Sequence, residues 1–262
     1  MLKDFKEMAA EQVQYRELLY QMTKRDLLLR YKQTAMGFAW AVFMPLVNTA
    51  VFSVIFTRVA PIEVGMPYVL FAFCGLVTWN FFASSLKFAV TSLTSNTSLV
   101  TKVYFPREIF PVSAVLVGMV DFAVASLVLV GLMAYYRVGF HWTLLLVPCV
   151  LGVHLIFTMA VALLLAMGNL FYRDVKYLFE IVLTVWMFVT AVLYPSSLVG
   201  GTLGWAMQFN PMTPIIEAYR DVLIRGVVPG AAFGYAAVFS ITLLVSAWLM
   251  FHRAEFQFAE NV

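Results

Sequence analysis

The sequence predicts an all-α integral membrane protein: six transmembrane helices with both termini in the cytoplasm, an N-terminal amphipathic helix, a short cytoplasmic helix after the second span, and re-entrant helices between spans five and six. Three observations carry this expectation. The chain is 63% hydrophobic and only 12% charged, with a mean hydropathy of +0.89, whereas soluble domains run at about 45–50% apolar and about 25% charged. Six runs, 36–57, 67–89, 110–135, 143–170, 177–194 and 231–251, are nearly free of charge. At about 1.5 Å per residue such runs cross a hydrocarbon core about 30 Å thick as helices whose backbone groups are satisfied internally. Lastly, with the N-terminus inside, every lysine and arginine except Arg58, Arg137, Arg220 and Arg225 falls on the cytoplasmic side, which is the positive-inside pattern.

Residues 1–35 read as a cytoplasmic amphipathic helix and a basic collar. Tyr15, Leu18, Leu19 and Met22 stand at i, i+3, i+4 and i+7, among Lys3, Lys6, Glu7, Glu11 and Glu17, the pattern of a helix lying on the inner membrane face. Lys24, Arg25, Arg30 and Lys32 then abut a stretch from Ala35 to Thr57 that carries no charge. Among anionic headgroups each such cation contributes on the order of 1 kcal/mol. Because about 35 residues precede the first span without the short basic n-region of a secretory leader, no cleavable signal is expected.

The transmembrane domain, 36–251, is interrupted at three places. In SNTSLVTKVYFPREIFP, Ser95 to Pro111, Asn96 or Thr97 can cap a short helix, Leu99, Val100, Val103 and Tyr104 form one apolar stripe, and Pro106 and Pro111 end it. A helix that short is not stable alone, so it docks on a partner or rests on headgroups. FYRDVKYLFE, Phe171 to Glu180, is a tight inside turn between spans four and five. The segment from Tyr194 to Gly230 is too apolar for an ordinary outer loop and is broken by Pro195, Pro211, Pro214 and Pro229. Irregular backbone at membrane depth survives only where protein or water surrounds it, so re-entrant half-helices over about 195–228 are the natural reading. Residues 252–262 form a cytoplasmic tail.

Within the spans, Asp121, Asn48 and Asn80 lie at similar depths of about 15–18 Å from the inner ends. An intramembrane carboxyl is a functional candidate, and a hydrogen-bonded structural group is the competing reading. Cys74 and Cys149 fall inside spans and His141, His154 and His252 are scattered, so no metal site, disulfide framework or catalytic cluster is expected. The net charge of +3 and pI of about 8.8 reflect the inner collar, with no nucleic-acid signature. A secondary transporter would want inverted repeats and more midplane charges than this sequence has.

Five motifs resemble the membrane subunit of type-2 ABC transporters, and within them the exporters of lipid-linked polysaccharides such as O-antigen and teichoic acid. They are RDLLLRYKQTAMGFAW with Pro45 following, LVTKVYFPREIFP, YRDVKYLFE, NPMTPIIEAYRDVL and the tail EFQFAENV, in order from residue 25 to the C-terminus. The resemblance implies a multi-pass subunit of the bacterial cytoplasmic membrane, a homodimer whose two copies form a channel, with two copies of a separate ATP-binding subunit beneath. It implies that Leu2 to about Thr23 is an interface helix and 96–105 a coupling helix, with Leu99, Lys102, Tyr104 and Arg107 facing the ATPase. It makes Leu198 to Arg225 a gate on the far side. Arg25, Arg30 and Lys32 either anchor the hinge to lipid headgroups or attract the diphosphate of the lipid carrier. Trp40, Phe43, Phe52, Phe56, Trp186, Phe188 and Tyr194 are candidates to line a passage for sugar rings, against the ordinary alternatives of lipid contact and interfacial belts. An ATP-binding chain needs a G-x-x-x-x-G-K-[ST] loop, and no Gly-Lys pair occurs here. This chain is therefore expected to be a transport subunit, neither an enzyme nor a holder of cofactor, with ATP and Mg²⁺ on the partner. An exporter of a drug or small lipid would share the six-span plan.

Overall fold

The computed structural model describes residues 14–258 apart from 33, 35, 38, 103 and 104, and only the backbone of 102, 197, 203, 205, 206 and 208. Val103, Tyr104, residues 1–13 with the first twelve of the expected interface helix, and the last four of the tail thus lie outside the described residues. Among those described, all regular structure is helical. In chain order the helices are α1 (Arg16–Tyr31), α2 (Ala39–Val54), α3 (Tyr68–Ser92), α4 (Thr97–Lys102), α5 (Ile109–Tyr135), α6 (Val147–Phe171), α7 (Val175–Val189), α8 (Gly201–Gln208), α9 (Met212–Arg220) and α10 (Ala231–Ala254).

Five stretches are long and apolar enough to cross a membrane: Ala39–Val59, Tyr68–Ser92, Ile109–Tyr135, Trp142–Phe171 and Ala231–Gln257. The protein is therefore a multi-pass membrane protein, and α3 is its central post. In α3, 78% of the apolar window is buried, against 11% in the first stretch. α5, α6, α7, α9 and α2 all pack on α3, while α10 pairs with α6. The contact with α5 is close because Gly118 leaves room for the Ser85 hydroxyl, which a Cβ there would strike, the small-residue packing that membrane helices favour.

The expected fifth span, 177–194, is interrupted. α7 has 15 residues, about 22 Å of rise, and ends at Thr190, whose backbone turns extended with ψ at 135°. The Thr190 hydroxyl donates back to the Trp186 carbonyl at 2.7 Å, and Pro195 closes the region to further helix. The carbonyls of Ala191 and Val192 are instead taken by the Arg220 guanidinium, at 2.8 and 2.6 Å. A side chain supplies here donors that the backbone lacks, since Pro195, four residues after Ala191, has no N–H.

Apolar side chains form two clusters. One fills the bundle around α3 and includes Phe71, Trp79, Phe82, Phe157, Leu183 and Tyr219. The other sits at the end of the bundle where α1, α4 and the chain's last helical turns meet, around Met22, Leu93, Val100, Phe110, Phe251 and Phe258. Tyr15, Leu18 and Leu19 pack against this second cluster. The apolar stripe of α1 thus buries itself on protein rather than lying on headgroups. Its later turns run along α5 in the same direction, Asp26 accepting from Ser113 at 2.8 Å and Arg30 pairing with Asp121.

Candidate functional site

The end of the bundle that carries the second cluster gathers the segments expected to face an ATP-binding partner. α4 starts after a 3-10 turn at Thr94–Asn96 and has Val100 buried and Leu99 half-buried against the cluster. Thr97, Ser98 and Thr101 face outward. Arg107, expected on the ATPase-facing surface, turns inward. Its guanidinium donates to the Val100 carbonyl at 3.2 and 3.1 Å and to the Glu255 carbonyl at 2.8 Å, while its own N–H donates to Glu255 Oε1 at 2.9 Å. It satisfies a terminal carbonyl of α4 and ties that helix to the end of α10. Beside it, Trp248 donates its indole N–H to the buried Glu108 carboxylate at 2.7 Å. The side chain of Lys102 and all of Tyr104 lie outside the described residues. Of the expected contacts, Leu99 and Arg107 are therefore seen as packing and anchoring groups.

The collar cations divide in the same way. Arg25 bonds Asp26 at 2.7 Å and Asn96 at 3.0 Å, linking α1 to the start of the coupling segment. Arg30 pairs with Asp121, and its guanidinium lies 3.8 Å over the Phe88 ring. Tyr31 donates its hydroxyl to the same carboxylate. Burial, with that carboxylate beside it, pushes the Tyr31 phenol up, so it remains a neutral donor. Lys32 is exposed. Arg30 is a structural partner of Asp121, and Asp121 is a neutralised, doubly hydrogen-bonded group rather than a lone carboxylate.

Above this pair, α2, α3 and α5 enclose a cavity of about 400 Å³. Trp40, Asn48, Asn80, Lys87, Asp121 and Phe122 line it, so the three polar residues grouped by depth in the sequence do share one space. The arrangement offers amide donors and acceptors, the Lys87 cation, the Arg30-paired Asp121 carboxylate and an aromatic face, which suits a hydroxyl-rich guest.

The expected lining aromatics separate. Trp40 borders the cavity and meets Phe43 edge-on at 5.6 Å, both rings being exposed. Phe52 and Phe56 stack at 6.2 Å and pack against the main core, Phe56 meeting the Tyr68 ring at 5.6 Å. Trp186 is a packing residue: its ring meets Trp79, Phe82 and Phe157, and its N–H donates to Asn210 at 3.0 Å. Phe188 is exposed on α7, and the Tyr194 hydroxyl donates to the Phe188 carbonyl.

At the opposite end, the short helices α8 and α9 lie between α7 and α10 and border a cavity of about 820 Å³ lined in part by Gly201, Phe209, Thr213, Glu217 and Tyr235. Arg220 anchors this end. It is fully buried and lies 3.6 Å over the Phe71 ring. Besides Ala191 and Val192 it reaches the Phe71 carbonyl at 3.3 Å and Glu217 at 2.6 Å, and Glu217 also receives Arg225 at 2.8 Å. Gly75 permits this approach, since a Cβ there would meet the Val192 carbonyl and the guanidinium. Sequence reasoning placed Arg220 only among the four cations outside the cytoplasmic side. The available signal was Glu217 three residues before an arginine, in a segment too apolar to be solvated.

Residues 17–224 match the ABC-2 type transporter family. The chain is 30% identical over 257 residues to the O-antigen export system permease protein RfbA of Myxococcus xanthus, covering 96% of this chain and 98% of that protein. Two proteins of the same description from Klebsiella pneumoniae are 27% identical over 249 and 248 residues, each match covering 93% of this chain and 94% of the relative. With its bundle of membrane-length helices and a match over most of its length, the chain belongs to the ABC-2 type transporter family and carries that family's membrane domain.

Proposed function

We propose that this chain is the permease subunit of an ATP-driven exporter that moves a lipid-linked, O-antigen-like polysaccharide across the bacterial cytoplasmic membrane. Two copies form the channel, and two copies of a separate ATPase bind at the α1–α4–α10 end and hold the ATP and Mg²⁺, this chain holding no cofactor. The observation that carries the reading is the joint anchoring of α4: Val100 sits in the second cluster, Arg107 holds its terminal carbonyl, and Asn96 receives Arg25 from α1. A push on α4 is thereby passed to α1, α5 and α10 as rigid bodies, the kind of two-state linkage that alternating cavities need. The relatives' names support a polysaccharide cargo over a drug or small lipid.

Six crossings with cytoplasmic termini follow if α7 and the extended residues up to Pro195 complete the fifth crossing, sheltered by Arg220. α8 and α9 then form the re-entrant gate. Residues 1–35 act as the interface segment, 36–251 as the transmembrane domain and 252–262 as the tail, with membrane lipids around them. Purified permease should show no ATP hydrolysis, which should appear when the partner is added. Turnover by highly purified permease alone would sink the divided-machine reading.

A further inference from the structure

The cavity of about 820 Å³ bordered by α8, α9 and α10 falls in the range of about 300–1,000 Å³ that small-molecule sites occupy. Its wall holds a polar atom that the fold leaves unused. Thr213 is only 7% exposed and lines the cavity, and its hydroxyl has no hydrogen-bond partner among the described residues. An unpaired buried hydroxyl is costly, so such a group is ordinarily met by a partner from outside the chain. Glu217 stands at i+4 from Thr213, on the same face of α9, and lines the cavity too. Its oxygens accept from Arg220 at 2.6 Å and Arg225 at 2.8 Å, which fixes the carboxylate, and each oxygen keeps a second lone pair. Arg225 also bonds Asp221 at 2.7 Å, so the four charges cancel, and among the described residues no cation lines the space.

Aromatic rings border the same space. Tyr235, near the start of α10, stacks on Phe239 at 6.2 Å, and Tyr235 and Phe209 are each about half exposed. Gly200, Gly201 and Gly204 add backbone without side chains. A fixed carboxylate with lone pairs to spare, an unpaired hydroxyl and open aromatic rings match a guest with hydroxyls around its edge and C–H bonds on its faces, which is a sugar ring. A phosphate finds no cation here, and an acyl chain would leave the Thr213 hydroxyl unpaired. We propose that this cavity is a carbohydrate subsite that holds a neutral sugar unit of the exported chain, an inference that rests on the proposed function. In the orientation given there, the subsite lies at the outer end beside the gate formed by α8 and α9. Sugars that have emerged are held there between ATP cycles, so the chain does not slip back. The subsite is separate from the cavity lined by Trp40 and uses none of the aromatics expected to line the passage.

The test uses the permease–ATPase complex in nanodiscs without nucleotide. The probe is the surface polysaccharide of the producing cells, freed of lipid by mild acid and labelled at its reducing end, and binding is read by fluorescence anisotropy. The wild-type complex should bind it. Thr213→Val keeps nearly the same shape and removes only the hydroxyl. Losing an unpaired buried group should leave the thermal unfolding midpoint unchanged or higher, yet binding should weaken about two- to tenfold, the worth of one hydrogen bond. Tyr235→Ala should weaken binding by about the same factor, while Tyr235→Phe keeps most of it. Phe140→Ala, which removes an exposed ring outside the cavity, should leave binding unchanged. A wild-type complex that binds no polysaccharide overturns the proposal. So does undiminished affinity in Thr213→Val, which would assign the hydroxyl to an ordered water, or in Tyr235→Ala, which would make that ring an interfacial anchor. Deleting the permease gene decides the transport reading separately: surface polysaccharide that persists sinks that reading, and polysaccharide that disappears keeps it even if the complex binds no sugar.

Discussion

Replacing Asp121 with asparagine should destabilise the permease through Arg30, and the effect can be sized from the geometry. The new amide would still accept from Tyr31, but it would leave Arg30, only 13% exposed, beside a neutral group. Breaking a buried ion pair from one side costs about 3–5 kcal/mol. Asp121 retains 17% exposure and Phe88 continues to shelter the guanidinium, so about 2–3 kcal/mol is the reasonable share here. For a chain of this size that corresponds to a fall of roughly 4–12 °C in the apparent unfolding midpoint. The assay is thermal unfolding of detergent-purified permease at one fixed scan rate, since membrane proteins commonly unfold irreversibly. Arg30→Gln should match Asp121→Asn, the double variant should be no worse than either single, and Lys32→Gln should cost about 1 kcal/mol or less. Additive losses, with a coupling under about 0.5 kcal/mol, would refute the pairing. Equal mild effects at Arg30 and Lys32 would return both to the role of headgroup anchors.

Arg220→Met strands the carbonyls of Phe71, Ala191 and Val192 at about 1–3 kcal/mol each. It should abolish accumulation of a tagged permease in membranes, whereas Arg225→Gln, at a more exposed pair, should cost under about 1 kcal/mol. Arg107→Gln and Glu255→Gln should each expose the C-terminal turn to limited proteolysis, with the double variant no more sensitive; independent effects would break the inferred link. Trp40→Ala should reduce export per folded permease while Trp40→Phe largely preserves it. Trp186→Phe should instead lower stability by about 1 kcal/mol through loss of the Asn210 bond, with export per folded permease unchanged.

Composition and periodicity determined the solvent, the helical class, the location of five membrane-length helices and the polar break after residue 194. These are properties of local runs: an uncharged stretch must leave water, and its backbone must then bond to itself. The depth count also brought Asn48, Asn80 and Asp121 together, because rise per residue is fixed in a helix. Partner choice was not legible in the same way. Met22, Leu18 and Leu19 suit a membrane surface and a protein surface equally, and only the packed ends of α5 and α10 decide for protein. Arg30 reads as one collar cation among four until Asp121, 91 residues away, is found against it. Arg107 reads as a surface cation until the Val100 and Glu255 carbonyls turn it inward. The fifth span looked continuous because its apolar run is continuous. Its backbone turns extended at Thr190, and beyond that point a buried Arg220 from a later helix, admitted by the missing side chain of Gly75, satisfies the carbonyls of Ala191 and Val192. A run of residues reports its own hydropathy and period, but which distant donor satisfies a given carbonyl or carboxylate is set only when the helices pack.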